Sequence, residues 1–160
     1  TLWMAFLERA DLRGANLSGA NLANVDARKA VLIRAEWTGA DLSKADLSEA
    51  VLEGARFRNA NLLGASLLIA RMKQTDFSGS ILASANIRQA IGRGTRFTGA
   101  DLTGADLGWA VLPGADFREA NLAGANLSGA DLSGADFTGA IWTDASPCDS
   151  ASCDDRAYLD

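Results

Sequence analysis

Large apolar residues fall at every fifth position along almost the whole chain. They start at Leu7, Leu12, Leu17 and Leu22 and keep one register to Trp142. Two places before nearly every one of these centres stands a small residue, usually Ala, as at Ala5, Ala10, Ala15 and Ala20. The residue between the two is mostly Asp or Asn, and the two that follow are often a polar residue and Gly. The register holds from residue 5 to residue 144, which is 28 phrases without an insertion or deletion. In a small-x-large triplet, alternation sends the first and third side chains to one face and the middle one to the other. Each phrase therefore predicts a three-residue strand with an apolar inner face, followed by a tight turn. A strict period of five does not fit the 3.6-residue period of an α-helix.

The aromatic residues predict how many such strands make a coil. Phe57, Phe77, Phe97, Phe117 and Phe137 are twenty residues apart, and Trp37 and Leu17 extend the series downward. Like residues stacked at a spacing of twenty mean four phrases per coil; a three-sided coil would repeat at fifteen. Seven coils at the ordinary inter-strand spacing would make a rod about 34 Å long. Two centres lack bulk, Ala27 and Gly92. Each is expected to leave a void or draw the backbone inward, which makes "AIGRGTRF" at residues 90–97 the expected irregular coil. Thr75, Ser80 and Thr95 replace the small Ala nearby and add polar atoms to the wall.

The stretches "ANLAGANLSGADL" (residues 120–132) and "ADLSGADFTGA" (130–140) resemble the pentapeptide-repeat family, whose motif is A(D/N)LxX. The resemblance covers about residues 5–144. It implies an all-β fold, a right-handed quadrilateral β-helix of about seven coils with short terminal caps. The hand comes from the resemblance; the four sides come from the residues.

Composition narrows this picture further. The 160 residues suffice for one domain, and 48% are hydrophobic, with Ala prominent among them. The expected division is a β-helix with its N-terminal cap over residues 1–146 and a capping tail over 147–160. "TLWMAFLERA" would close the lower end, because an open coil exposes unpaired backbone. The chain opens at Thr1, not Met, and is expected to continue upstream. No apolar run is long enough for a membrane span. The net charge of −5 disfavours direct nucleic-acid binding, which needs a basic stripe. Both cysteines, Cys148 and Cys153, sit in the tail. They read either as a disulfide closing a small loop or as two free thiols. The disulfide reading points to an exported or lumenal oxidising compartment, periplasm or thylakoid lumen; free thiols leave the cytoplasm open.

The sequence offers little for catalysis. There is no histidine to act as a base, and two cysteines without histidine make no ordinary zinc site. No catalytic, cofactor-binding or metal residue is expected, and no cofactor. The Asp and Asn residues before the centres read as solvated wall.

One surface departs from that wall. On the side centred on Leu12, Leu32, Leu52, Met72, Gly92 and Leu112, the outward positions carry Val31, Val51, Arg71, Ile91 and Val111, with Ile33 beside them. Ile69 and Trp109 lie round the adjoining corner, together with Leu68. This stripe of Val31, Ile33, Val51, Ile69, Ile91, Trp109 and Val111 has two readings. β-Branched residues stabilise ladders; contiguous exposed apolar residues with a Trp mark a contact with another protein or a second copy of the chain. The leading function is thus a non-enzymatic interaction or structural scaffold module with an unidentified protein partner. The alternative, suggested by the resemblance, is a DNA-mimicking modulator of DNA gyrase or topoisomerase. Such a mimic needs an acidic wall along the rod, whereas residues 1–100 carry 13 basic and 9 acidic groups.

Overall fold

A computed structural model describes residues 7–142. The chain winds as a four-sided β-helix. Each of its 23 bridges is parallel and joins a residue to the one twenty positions later, from Asp11 with Val31 to Asn121 with Ile141. One coil is therefore twenty residues, and the described residues make just under seven coils. We number them from Leu7, so coil 4 is 67–86, coil 5 is 87–106 and coil 6 is 107–126. The first side carries the centres from Leu7 to Leu127, the second those from Leu12 to Leu132, the third those from Leu17 to Phe137, and the fourth those from Leu22 to Trp142.

Backbone hydrogen bonds explain why five residues suffice for a side and a corner. Taking the second side as the example, the Leu32 N–H donates to Val51 O at 2.8 Å and the Arg34 N–H to Glu53 O at 3.0 Å, both upward. The Val31 N–H donates downward to Ala10 O at 2.9 Å, and the Ala35 N–H closes the turn onto Leu32 O at 3.0 Å. Four of five N–H groups are thus used. The fifth, on the residue just after the centre, is left over. At all sixteen described places where Asp or Asn precedes the centre, its Oδ1 accepts that donor, as Asp41 does from Ser43 at 3.0 Å and Asn126 from Ser128 at 3.1 Å. The polar residue of the phrase is therefore an Asx cap for the turn, a more specific role than solvating the wall.

Inside, the centres and the small residues pack into one column. Trp37, Phe57, Phe77, Phe97, Phe117 and Phe137 form a continuous stack on the third side, with ring centroids 4.9–5.7 Å apart and planes within 16° of parallel. Trp142 closes it edge-on against Phe137 at 4.5 Å.

The expected irregularity at Gly92 is absent. The ladder continues through it, with Ile91 bridged to both Arg71 and Val111. A Cβ at Gly92 would collide with the Met72 side chain and the Thr95 hydroxyl, so those groups occupy the space a larger centre would take. Met is flexible enough to fill such a gap. The trace left in the backbone is a longer turn bond, Thr95 N to Gly92 O at 3.4 Å. The polar wall atoms are satisfied too: Thr75 Oγ1 donates to Leu52 O, Thr95 Oγ1 to Met72 O and Ser80 Oγ to Phe77 O. The expected caps, the boundary at 146–147 and the Cys148–Cys153 pair lie outside the described residues, and there is no disulfide among the described ones.

Candidate functional site: an exposed apolar corner

Every described corner is built the same way. The second residue after each centre has a positive φ, between +53° and +73°, as a type II turn requires. Fourteen of these positions are Gly; thirteen are not. Two of the thirteen are large and apolar: Ile69 at φ 58° and Trp109 at φ 60°. A β-branched or bulky residue in this region is a genuine outlier, and both stand in one column, at the corner between the first and second sides. Gly builds the same turn elsewhere, so the fold does not require either side chain there.

That column meets the outward ladder of the second side in coils 4–6. Trp109 is 60% exposed, Ile91 55%, Ile69 45% and Val111 39%. These are four of the seven large hydrophobic residues that are exposed among the described ones. The structure thus brings together the upper members of the expected stripe. Val31, Ile33 and Val51 lie in the same face but are half-buried, as is Leu68. Val51 sits beneath Arg71 in the ladder, and Arg71 reaches across to Glu53 at 2.8 Å. The remaining exposed apolar residues are Leu63, Ile81 and Ile141 on the fourth side. The sequence pattern did not single out Leu63 and Ile81, although each stands where neighbouring phrases carry polar residues.

The same face lacks the Asx caps. From Val31 to Val111, five successive rungs of the second side carry Val, Val, Arg, Ile and Val in place of Asp or Asn. The leftover N–H groups of Ile33, Glu53, Lys73 and Arg93 have no acceptor among the described residues. At the fifth rung the residue is Pro113, which has no N–H. On either side of this window the caps return, from Asp11 to Arg13 and from Asp131 to Ser133. The signal was present in the sequence, as the same run of residues read there only for its apolarity.

Several arginines around the rod are paired with carboxylates. Arg58 pairs with the buried carboxylate of Asp76 at 2.6 Å, Arg88 with Asp106 at 3.2 Å, Arg118 with Asp116 at 2.7 Å, and Arg56 with Glu36. Burial pushes Asp76 up, but hydrogen bonds from the Ser78 hydroxyl, the Ser78 N–H and Arg58 outweigh it and hold the carboxyl below the usual range. A shallow groove of about 370 Å³ at the corner between the second and third sides is lined by Arg56, Arg58, Gln74, Asp76 and Arg96. Its one carboxylate, Asp76, is engaged by Arg58 and by the Ser78 N–H and hydroxyl. No cluster among the described residues could hold a metal ion, and no helix there is long and apolar enough to cross a membrane.

The sequence profile of pentapeptide repeats matches residues 5–36, 35–67, 70–108 and 100–139, with eight copies. No curated protein matches the chain. Among solved structures, the chain is similar to HetL, a pentapeptide repeat protein involved in heterocyst differentiation regulation from the cyanobacterium Nostoc sp. strain PCC 7120, with 31% identity over 89% of this chain and 76% of that one and a TM-score of 0.43. It is also similar to full-length QnrB1, a plasmid-mediated fluoroquinolone resistance protein, with 21% identity over 86% and 89% of the two chains and a TM-score of 0.31. A pentapeptide repeat protein from the Arabidopsis thaliana thylakoid lumen is 27% identical over 92% and 76% of the two chains, with a TM-score of 0.26. These superpositions are loose, so kinship rests on the repeat itself. With the profile matching most of its length and the quadrilateral coil in place, the chain belongs to the pentapeptide-repeat family.

Proposed function

We propose that this protein is a non-enzymatic interaction module that presents the corner of Ile69, Ile91, Trp109 and Val111 to a protein partner. Pentapeptide-repeat proteins are in general structural or interaction modules. The observation that carries the reading is the placement of Ile69 and Trp109. Both accept a strained backbone and exposure to water at positions where Gly serves the fold equally well. Such local cost marks function more often than architecture. Trp is also a common anchor in protein interfaces.

The test is capture from a lysate of the source cell by the immobilised native rod and by an Ile91→Lys/Val111→Lys variant. Both substitutions are on the outer wall and leave the core intact. A protein held by the native rod and lost by the variant supports the reading; capture that is the same with both rods sinks it. The DNA-mimic alternative finds less support, because this face is basic and apolar where a mimic needs carboxylates. A gyrase supercoiling assay with and without the protein separates the two. An exported or lumenal site remains part of the proposal, tested by whether Cys148 and Cys153 resist alkylation without reductant.

A further inference from the structure

The chemistry of the face points to what covers it. Residues 67–75, 87–95 and 107–115 make the first-side centres, the corner and the second side of coils 4–6. They contain Arg71, Lys73, Arg88 and Arg93 and no Asp or Glu. Arg71 and Arg88 find carboxylates on neighbouring rungs, Glu53 and Asp106. Lys73 and Arg93 form no ion pair among the described residues, although they are stacked one rung apart. Like charges opposite one another in a ladder are unfavourable. The backbone N–H groups of the same two residues, like those of Ile33, Glu53 and Leu68, have no Asx acceptor. At sixteen other rungs an outward carboxylate or amide oxygen sits over this donor, so at Lys73 and Arg93 the N–H faces the same outer side. The face therefore presents two unmatched cations, each with its own N–H donor unmatched, and an adjoining apolar patch. What it lacks is carboxylate oxygen at a spacing of about 4.8 Å along the rod.

We propose that the second side binds an acidic amphipathic helix of a partner protein, laid along the rod. This rests on the reading of the rod as an interaction module. Carboxylates of the helix take the place of the missing Asx caps over the N–H groups of Lys73 and Arg93 and neutralise the two side chains. Its apolar residues cover Ile91, Val111 and Trp109. A helix suits the spacing: same-face residues three apart are separated by about 4.5 Å along its axis, close to the rung spacing. An added β-strand does not, because side chains on one face of a strand recur at about 6.6 Å.

The experiment uses the whole protein and a labelled helical peptide of about 18 residues, long enough to hold helix in water, with Glu on one face at i, i+3 spacing beside a Leu stripe. A second peptide replaces every Glu by Gln. Binding is followed by fluorescence anisotropy. The expected result is that the Glu peptide binds at least about tenfold more tightly than the Gln peptide, which corresponds to ~1.4 kcal/mol. Two variants then locate it. Lys73→Ala/Arg93→Ala and, separately, Ile91→Asn each weaken the Glu peptide at least about tenfold. Ile91→Asn supplies the cap from within, as Asn86 does for Arg88, so its melting temperature should not fall, and loss of binding is then not loss of fold. Amide exchange at Lys73 and Arg93 slows when the peptide is bound. Equal binding of the two peptides, or binding indifferent to Ile91→Asn, overturns the proposal. So does preference for phosphatidylglycerol vesicles or a DNA duplex, or for a second copy of the chain in sedimentation. If the Glu peptide fails while a captured protein is lost with Ile91→Lys/Val111→Lys, the interaction face stands and the acidic helix falls.

Discussion

The indole of Trp109 lies over the corner of the next coil at Gly129: a Cβ there would come within 2.7–2.9 Å of three ring atoms. One face of the ring thus rests on backbone while the side chain stays 60% exposed. A ring supported in this way loses little freedom on contact with a partner, which favours affinity. Gly129→Ala should therefore push the indole off its seat. The expected outcome is stronger acrylamide quenching of Trp109, read against a Trp109→Phe background, together with a stability loss of about 1 kcal/mol from a side chain at positive φ. Unchanged quenching would show that the ring does not depend on this support.

Ile69 offers the complementary test. It occupies the same corner column at φ 58°, where Asn24 and Asn59 sit at equivalent corners with φ 60° and 53°. Asn tolerates this region; a β-branched residue does not. Ile69→Asn should raise stability by about 1 kcal/mol and weaken capture of the partner. A variant that is less stable in a urea melt would mean that Ile69 contributes packing that outweighs its strain.

How much of this was legible beforehand depends on which forces act within a phrase and which act between coils. The side length and the four-sided coil follow from local alternation and from the twenty-residue spacing of Phe57, Phe77 and their successors, and both were readable. The filling of Gly92 was not, because it depends on Met72, twenty residues away, turning into the gap. The narrowing of the apolar stripe was hidden for the same reason: whether Val51 is open depends on Arg71 above it reaching Glu53. The uncapped donors were half visible. The run from Val31 to Val111 was plain, but its meaning required knowing which of the five N–H groups the coil leaves unused.

The caps themselves can be tested on the opposite wall. Asp101 accepts from the Thr103 N–H at 3.0 Å and from its hydroxyl at 2.6 Å. Asp101→Ala removes both and should cost about 1 kcal/mol, whereas Asp101→Asn keeps an oxygen in place and should cost less. Val51→Ala, at a rung with no cap to lose, should leave the amide exchange of the following turn unchanged. Equal costs for Asp101→Ala and Asp101→Asn would argue that charge, not the Asx bond, is what the motif selects.

Acid should act through the same residues. Hydrogen bonds from Arg28 hold Asp26 below the usual carboxylate range, those from Arg118 hold Asp116, and those from the Ser133 N–H and the Thr138 hydroxyl hold Asp131 and Asp136. A carboxyl whose value is lowered on folding binds fewer protons in the folded than in the unfolded chain as the pH falls. Its stabilisation is present above the unfolded value, about 4, and is lost below it. With no histidine in the chain, thermal melts should be nearly flat from about pH 5 to 8 and fall below about pH 4. Asp116→Asn/Asp136→Asn should make the acid limb shallower, and an unchanged limb would place the acid sensitivity elsewhere.

The foot of the aromatic stack holds an orphan donor. Trp37 is fully buried, with its ring 5.7 Å from Phe57 and 10° from parallel, yet its Nε1–H has no hydrogen-bond partner. A buried donor without an acceptor costs about 1–3 kcal/mol. Every higher member of the stack is Phe, which fills the position without that donor. Trp37→Phe leaves a gap of a few tens of Å³, for which the cost is about 1 kcal/mol if the neighbours do not close in. The two effects oppose each other, and removal of the orphan donor is the larger. Trp37→Phe should therefore be neutral or stabilising in a urea melt, in contrast to the loss of about 3–5 kcal/mol expected for Phe77→Ala higher in the same column. A clear loss of stability in Trp37→Phe would mean that the indole N–H is satisfied in solution, by water entering from the lower end of the rod.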